Sequence, residues 1–326
     1  LLTEKIMTIA KISNNLKKLK SALIFSHNRP DGDTIGSAIA LKNALEGLGI
    51  KADLCCEGNI PSKYAFIDGV NLYKKSAEYV KTVSEYDAVI SVDCSAEVMF
   101  SDAYSVYQKG KIKFNIDHHI SNTRYADFNY VENTAANTEI IFKIVKELGV
   151  NVTKTIANAL LLGMVTDTGN FAHSNVTSDT MSAVSNLISL GGDLNLVVYK
   201  AFKEQSKERA KLFAKTISNI RYELDGALAF ISISRADVIA SGGDDSITEG
   251  FIDFPLSVAG VEVAISLLET ADKRYKISFR SKGKVNVNEI ASLYGGGGHI
   301  LASGAVLNGY KEDIIDKLTY NVKQRI

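Results

Sequence analysis

The chain has 326 residues, 46% of them apolar and 23% charged, with 37 Lys and Arg balanced by 37 Asp and Glu. That length suffices for two ordinary domains, and the composition is that of a soluble globular protein. A formal net charge of zero provides no long basic footprint for duplex nucleic acid, whereas a small anion held by local groups is compatible with it.

Residues 2–19 show helical periodicity, with Ile6, Ile9, Ile12, Leu16 and Leu19 on one side. The mixed polar and apolar start does not resemble a signal peptide, and no apolar run approaches the roughly 18 residues needed to cross a bilayer. A cytoplasmic protein without a membrane association is expected. The three cysteines are a sparse set. Cys55 and Cys56 are adjacent in a predicted strand, point to opposite faces and make poor disulfide partners. Together with Cys94 they read as free thiols of a reducing compartment.

Residues 22–26 form a short apolar strand ending at His27, followed by a polar turn with Pro30 and Gly32. A helix is predicted over 34–48, with Thr34 as its cap and Gly49 as its stop. The next strand covers 51–56, which makes a βαβ unit. Strands over 87–92 and 111–116 end at Asp93 and Asp117, and helices follow over 138–148 and 153–165. Alternating strands and helices imply an α/β fold with a doubly wound, mainly parallel sheet, in which ligands bind at the carboxyl ends of the strands. His27, Asp93 and Asp117 sit at such ends, and Asp167 follows a helical run. Gly-x-Gly-x-x-Gly is absent from the first turn, which removes a dinucleotide cradle.

A helix over 178–190 is stopped by Gly191-Gly192, and the lysine-rich, mostly helical stretch from 194 to 220 reads as a connector. The period then changes to two. Strands are expected over 227–233, 261–268, 275–280 and 302–307, with a closing helix over 311–322. The expected domains are 1–190, a connector over 191–225, and a smaller mixed α/β domain over 226–326.

Four clusters carry the chemistry: His27-Asn28-Arg29-Pro30-Asp31-Gly32-Asp33, Val92-Asp93-Cys94, Asp117-His118-His119 and Thr166-Asp167-Thr168-Gly169. Taken singly, an aspartate at a strand end is more often a turn residue, and adjacent histidines are often surface residues. Their coincidence changes the weighting, because three of the five histidines fall inside the clusters. Carboxylates and imidazoles gathered in this way point to divalent metal, and four clusters point to more than one ion.

In this order the clusters resemble the four motifs of the DHH phosphoesterase superfamily. Gly296-Gly297-Gly298-His299, preceded by Ser278-Phe279-Arg280-Ser281, resembles its DHHA1 domain. The resemblance implies that His27 and Asp31 hold one ion, that Asp33, His118 and Asp167 hold the other, and that Asp93 bridges them. Oxygen ligands mixed with imidazole suit two Mn²⁺, with Mg²⁺ or other divalent ions as alternatives. Asp93 would then serve the reaction directly, and His119 would face the substrate, binding phosphate or acting as a general acid. Asp117 would either orient a ligand histidine or simply cap a turn. Gly296, Gly297, Gly298, His299 and Arg280 would bind the rest of the substrate in a cleft between domains, the glycines through backbone N–H groups. On the residues alone, the glycine run reads rather as a flexible turn before an edge strand.

The family's DNA exonucleases carry further domains for which this length leaves no room, and its membrane-bound phosphodiesterases carry spanning helices. What remains is the stand-alone type, similar to the nanoRNase/pAp phosphatase group. The implied activity is hydrolysis of short oligoribonucleotides, linear dinucleotides such as pApA, and 3′-phosphoadenosine 5′-phosphate (pAp). A cyclic di-AMP phosphodiesterase is the alternative, and a nucleotide-binding regulator without catalysis a remoter one. A homodimer is compatible with the sequence, which does not show one.

Overall fold

A computed structural model describes residues 7–326, so Ile6 and the start of the first predicted helix lie outside the described residues. The chain divides into two compact units between Glu204 and Gln205.

The first unit is built on six strands: β1 Ser21–Phe25, β2 Lys51–Cys55, β3 Tyr73–Lys74, β4 Ala88–Val92, β5 Lys113–Asp117 and β6 Phe128–Val131. All neighbours pair in parallel, in the order β3-β2-β1-β4-β5-β6. The order reverses between β1 and β4. Loops leaving the carboxyl ends of two such strands diverge and open a crevice, and His27 and Asp93 follow those two strands.

The centre of this sheet is buried on both faces, which is why β1 and β4 read as nearly continuous apolar runs. Ala22 and Ile24 join the core beneath the helices α1 Ile9–Leu16, α2 Gly32–Gly47, α4 Asn137–Leu148 and α5 Lys154–Asp167. Leu23 and Phe25 face the other side, where Phe100, Tyr107, Tyr79 and Val83 pack. That second layer consists of 3₁₀ turns and the short helix α3 Tyr104–Tyr107 rather than full helices. The unit closes with α6 Ser178–Ser189, α7 Leu194–Val198 and a π-helical turn at Tyr199–Lys203.

Two local expectations change. Thr34 does not cap α2. Asp31 does, its Oδ1 accepting from the backbone N–H groups of Asp33 and Thr34 at 3.1 Å each, while the Thr34 hydroxyl donates to the Val92 carbonyl. Cys56 lies one residue beyond β2; all three cysteines are buried and unpaired.

The second unit starts with α8 Lys207–Ile217 and contains β7 Arg221–Glu223, β8 Leu228–Ile233, α9 Arg235–Ser241, α10 Asp253–Ser257, β9 Val263–Ala271, β10 Arg274–Ser281, α11 Val287–Ser292, β11 Gly297–His299, β12 Ala302–Asn308 and α12 Lys311–Lys323. Its sheet has the order β11-β12-β10-β9-β8-β7 and is mixed, since β8 and β9 pair in parallel and the other pairs are antiparallel. The period-two pattern is visible in the burial. Val263, Ile265 and Leu267 face the core containing Ile314 and Leu318 of α12, while Ala264 and Leu268 face the cluster containing Leu212 of α8 and Val238 of α9. Among the described residues no single helix is long and apolar enough to cross a membrane.

Candidate metal centre

Close helix packing brings the carboxylates together. A Cβ on Gly36 of α2 would collide with the Ala159 carbonyl oxygen of α5, and a Cβ on Gly163 of α5 would collide with the carboxylate of Asp33. The absence of these side chains lets α2, which starts beside Asp31 and contains Asp33, lie against α5, whose last residue is Asp167. Asp33 is fully buried and accepts from the backbone N–H groups of Asn137 and Thr138, at 2.5 and 2.9 Å. It therefore also caps the start of α4, where the helix dipole favours an anion. Asp93 has a φ of 54°, a left-handed conformation that aspartate tolerates better than most residues. That conformation turns the chain directly after β4.

Three groups of side chains have ligand atoms close enough to share a cation: His27, Asp31 and Asp93; Asp33, His118 and Asp167; and Asp93, His118 and His119. Asp93 Oδ2 lies 3.6 Å from His27 Nε2, and Asp93 Oδ1 lies 3.4 Å from His118 Nε2. His27 Nε2 is also 3.8 Å from Asp31 Oδ2. His118 Nε2 is surrounded further by Asp167 Oδ2 at 3.4 Å and Asp33 Oδ2 at 4.0 Å. The structure thus brings together all six residues for which metal ligation was expected.

These residues fit divalent cations. Asp93 Oδ1 and His118 Nε2 are buried without a hydrogen-bond partner. His118 Nδ1 lies 3.0 Å from the Thr134 carbonyl, an acceptor only, so the proton sits on Nδ1 and the Nε2 lone pair faces carboxylates. Oxygens and a lone pair facing one another need positive charge between them, from a proton or a metal ion. The electrostatics of these side chains express the same demand. Burial disfavours charge on His27, but Asp31 and Asp93 outweigh it and push the imidazole up to about 9. His118 is likewise raised by Asp93 and Asp33 against burial. Burial and neighbouring carboxylates push Asp33 and Asp167 above the usual range.

His119 stands differently. Its Nδ1 is 2.8 Å from Asp117 Oδ1, and Asp117 Oδ2 accepts from Asn122 Nδ2 at 2.6 Å. Burial would raise the Asp117 pKa, but these two hydrogen bonds hold it below the usual carboxylate range. An ionised carboxylate only accepts, so His119 carries its proton on Nδ1 and keeps the lone pair on Nε2. Asp117 therefore orients His119, not the ligand candidate His118, and neither of its oxygens caps a turn. Asn122, Thr134 and Asn115 were not anticipated: a carbonyl carries no signature, and the asparagines lie outside every motif.

In the second unit, the glycine run is only in part a turn before an edge strand, with Gly295 in the turn that follows α11. Gly297–His299 is itself the edge strand β11, with Gly297 opposite Gly304, Gly298 opposite Ser303 and His299 opposite Ala302. A Cβ on Gly296 would collide with the Gly304 carbonyl oxygen, so that glycine serves close strand approach. Ala302 also pairs with Arg280 on β10, so Arg280 and His299 project from one face of the sheet with a small residue between them. The Arg280 side chain is partly exposed, with Nη1 donating to the Phe279 carbonyl at 3.0 Å and Nε 3.9 Å from Asp253.

Comparison with known proteins agrees with this arrangement. Residues 21–164 match the DHH family N-terminal domain, and residues 230–326 match the DHHA1 domain. The chain is 30% identical to the bifunctional oligoribonuclease and PAP phosphatase NrnA of Thermus thermophilus, over 95% of this chain and 90% of that protein. Its structure resembles that of an exopolyphosphatase-related protein from Bacteroides fragilis, with a TM-score of 0.88, 25% identity and 99% of each chain covered. The fold is shared with the exonuclease RecJ bound to manganese, at a TM-score of 0.58 and 11% identity, covering 100% of this chain and 97% of that one. A parallel sheet with candidate His and Asp ligands gathered beside the carboxyl ends of its strands, in a chain that also carries a mixed C-terminal sheet, is the pattern of a class of metal-dependent hydrolases. This chain belongs to the DHH/DHHA1 family of metal-dependent phosphoesterases.

Proposed function

We propose that the chain hydrolyses short oligoribonucleotides and linear dinucleotides to mononucleotides, and pAp to AMP and inorganic phosphate. The observation that carries the hydrolytic chemistry is the division of the Asp93 carboxylate, Oδ2 toward His27 and Oδ1 toward His118, which suits a carboxylate shared by two cations. The substrate class is supported by near full-length similarity to a protein named as an oligoribonuclease and PAP phosphatase.

We assign His27 and Asp31 to one ion, Asp33, His118 and Asp167 to a second, and Asp93 to both. Mixed carboxylate and imidazole ligands favour Mn²⁺, and the related fold of RecJ is described with manganese bound. Bound ions of this kind supply a water of lowered pKa and neutralise charge on a phosphate. His119, fixed through Nδ1 by Asp117, has Nε2 free to hydrogen-bond a phosphate oxygen or protonate the leaving oxygen. Hydrolysis of pApA consumes one water, breaks the P–O3′ bond and yields two molecules of AMP. Arg280 and His299 suit recognition of a terminal phosphate, a guanidinium and an imidazole being good donors to it. The buried, unpaired cysteines suit a reducing, cytoplasmic environment.

Chromatographic product analysis with Mn²⁺ tests this reading, offering pApA, a 5′-phosphorylated RNA trimer, pAp and cyclic di-AMP to one preparation. Fast release of mononucleotides from the linear substrates, with the cyclic one slow, is expected. Faster opening of cyclic di-AMP would replace this reading with a signalling phosphodiesterase.

A further inference from the structure

We propose that Asn122 is a positioning residue for the reaction, acting on His119 through Asp117. The inference rests on the assignment of His119 to the substrate. Asn122 belongs to the turn that follows His119, its backbone N–H donating to the His119 carbonyl at 3.1 Å. Its amide orientation is fixed by its neighbours. Oδ1 accepts from the Arg124 backbone N–H at 2.7 Å, which leaves Nδ2 to donate to Asp117 Oδ2 at 2.6 Å and Asn115 Oδ1 at 2.8 Å, with the Cys94 carbonyl farther off at 3.5 Å. The two N–H bonds of the amide thus have two strong partners.

The far end of this chain is anchored in the sheet. Asn115 lies on β5 and is fully buried, and its Nδ2 donates to Ser91 Oγ at 3.0 Å and lies 3.1 Å from both the Tyr125 hydroxyl and the Cys94 carbonyl. Tyr125 in turn donates to Ser91 Oγ at 2.8 Å and lies 2.9 Å from the Cys94 carbonyl. A continuous run of hydrogen bonds therefore leads from β4 and β5 through Asn122 and Asp117 to the His119 ring. The χ2 torsion of an aspartate is soft, so a carboxylate held at one oxygen alone can rotate and carry its imidazole with it. Asn122 grips the second oxygen and fixes the carboxylate plane. With Ala at 122, Asp117 Oδ2 would be a buried, unsatisfied acceptor, and the direction of His119 Nε2 would be defined by one hydrogen bond.

A double-mutant cycle on pApA hydrolysis at saturating Mn²⁺ tests the proposal, using wild type, Asn122→Ala, His119→Ala and the double variant. The expected result is a loss of about 10–100-fold in kcat for Asn122→Ala, the range typical of outer partners of site histidines, with KM within about 2-fold. In the His119→Ala background the same change costs less than about 2-fold, because the group it serves is gone. Asn122→Ser, which keeps a donor for Asp117, regains part of the loss and replaces the alanine variant in the cycle if that one does not fold. Equal losses in both backgrounds overturn the proposal, since Asn122 would then act on the loop and not on His119. Unchanged kcat and KM in His119→Ala would instead overturn the substrate assignment of His119, a failure read from a different edge of the cycle.

Discussion

Asp93 Oδ1 and His118 Nε2 lie 3.4 Å apart, both buried, and neither has a hydrogen-bond partner. A polar pair left so in a protein interior costs free energy unless a charge sits between its members. In the metal-free protein that charge is a proton. With Asp93 and His118 assigned to metal, a divalent ion would take that place in the loaded protein, so metal and protons would compete for one set of atoms.

The competition predicts that the metal-free protein loses stability as pH rises while the stabilisation by Mn²⁺ grows. His27 is pushed up to about 9 in the fold against 6.5 for a free imidazole. Such a group stabilises the fold fully below the unfolded value, and that contribution is lost as pH rises through about 9. Asp33 and Asp167, also raised, act in the same direction, because their charges crowd as protons leave. The Tm of the metal-free protein should fall between pH 6.5 and 9, while the increase in Tm caused by Mn²⁺ grows. Differential scanning fluorimetry over that window checks it; a Mn²⁺ effect independent of pH would contradict the protonated resting site.

Gly36→Ala should cost about 1–3 kcal/mol in stability, the range for overpacked interiors, because the new methyl meets the Ala159 carbonyl oxygen. Moving α2 away from α5 also separates Asp31 and Asp33 from Asp167. Mn²⁺ affinity should therefore fall together with stability. Calorimetric titration of the folded variant checks this, and unchanged affinity would mean that the centre tolerates a shift between the helices.

Much of the centre was legible because a parallel sheet collects strand ends. His27, Asp93 and Asp117 lie far apart in sequence, yet each closes an apolar run, and the topology brings those ends to one edge. What stayed hidden depends on tertiary contacts. Nothing local distinguishes Asn122 from any other turn asparagine, and its partners Asp117 and Asn115 are specified only by the folded loop. Asp31 outcompeted Thr34 as the cap because the turn geometry starts the helix two residues earlier than the apolar pattern does. Strand β3 has two residues and β6 four, too short for a period to register. In the second unit Gly297–His299 carries no apolar alternation, so an edge strand there could not be told from a turn.

Arg280→Ala should raise KM for pApA by about 10-fold or more, as expected for loss of a charge-assisted phosphate contact of roughly 1.5–3 kcal/mol. It should change hydrolysis of bis-p-nitrophenyl phosphate, which has no terminal phosphate, by less than about 2-fold. Steady-state kinetics on both esters decides it. Equal losses would remove Arg280 from substrate recognition.

A carboxylate shared between two ions sets the metal stoichiometry, and counting bound Mn²⁺ tests it most directly. Equilibrium dialysis with elemental analysis should find about two Mn²⁺ per chain in the wild type, as two-metal phosphoesterase sites require. Asp93→Ala, its fold checked by circular dichroism, should hold at most about one and lose turnover on every ester. A single ion in the wild type, or two ions and near-normal turnover in Asp93→Ala, would contradict the shared-carboxylate centre.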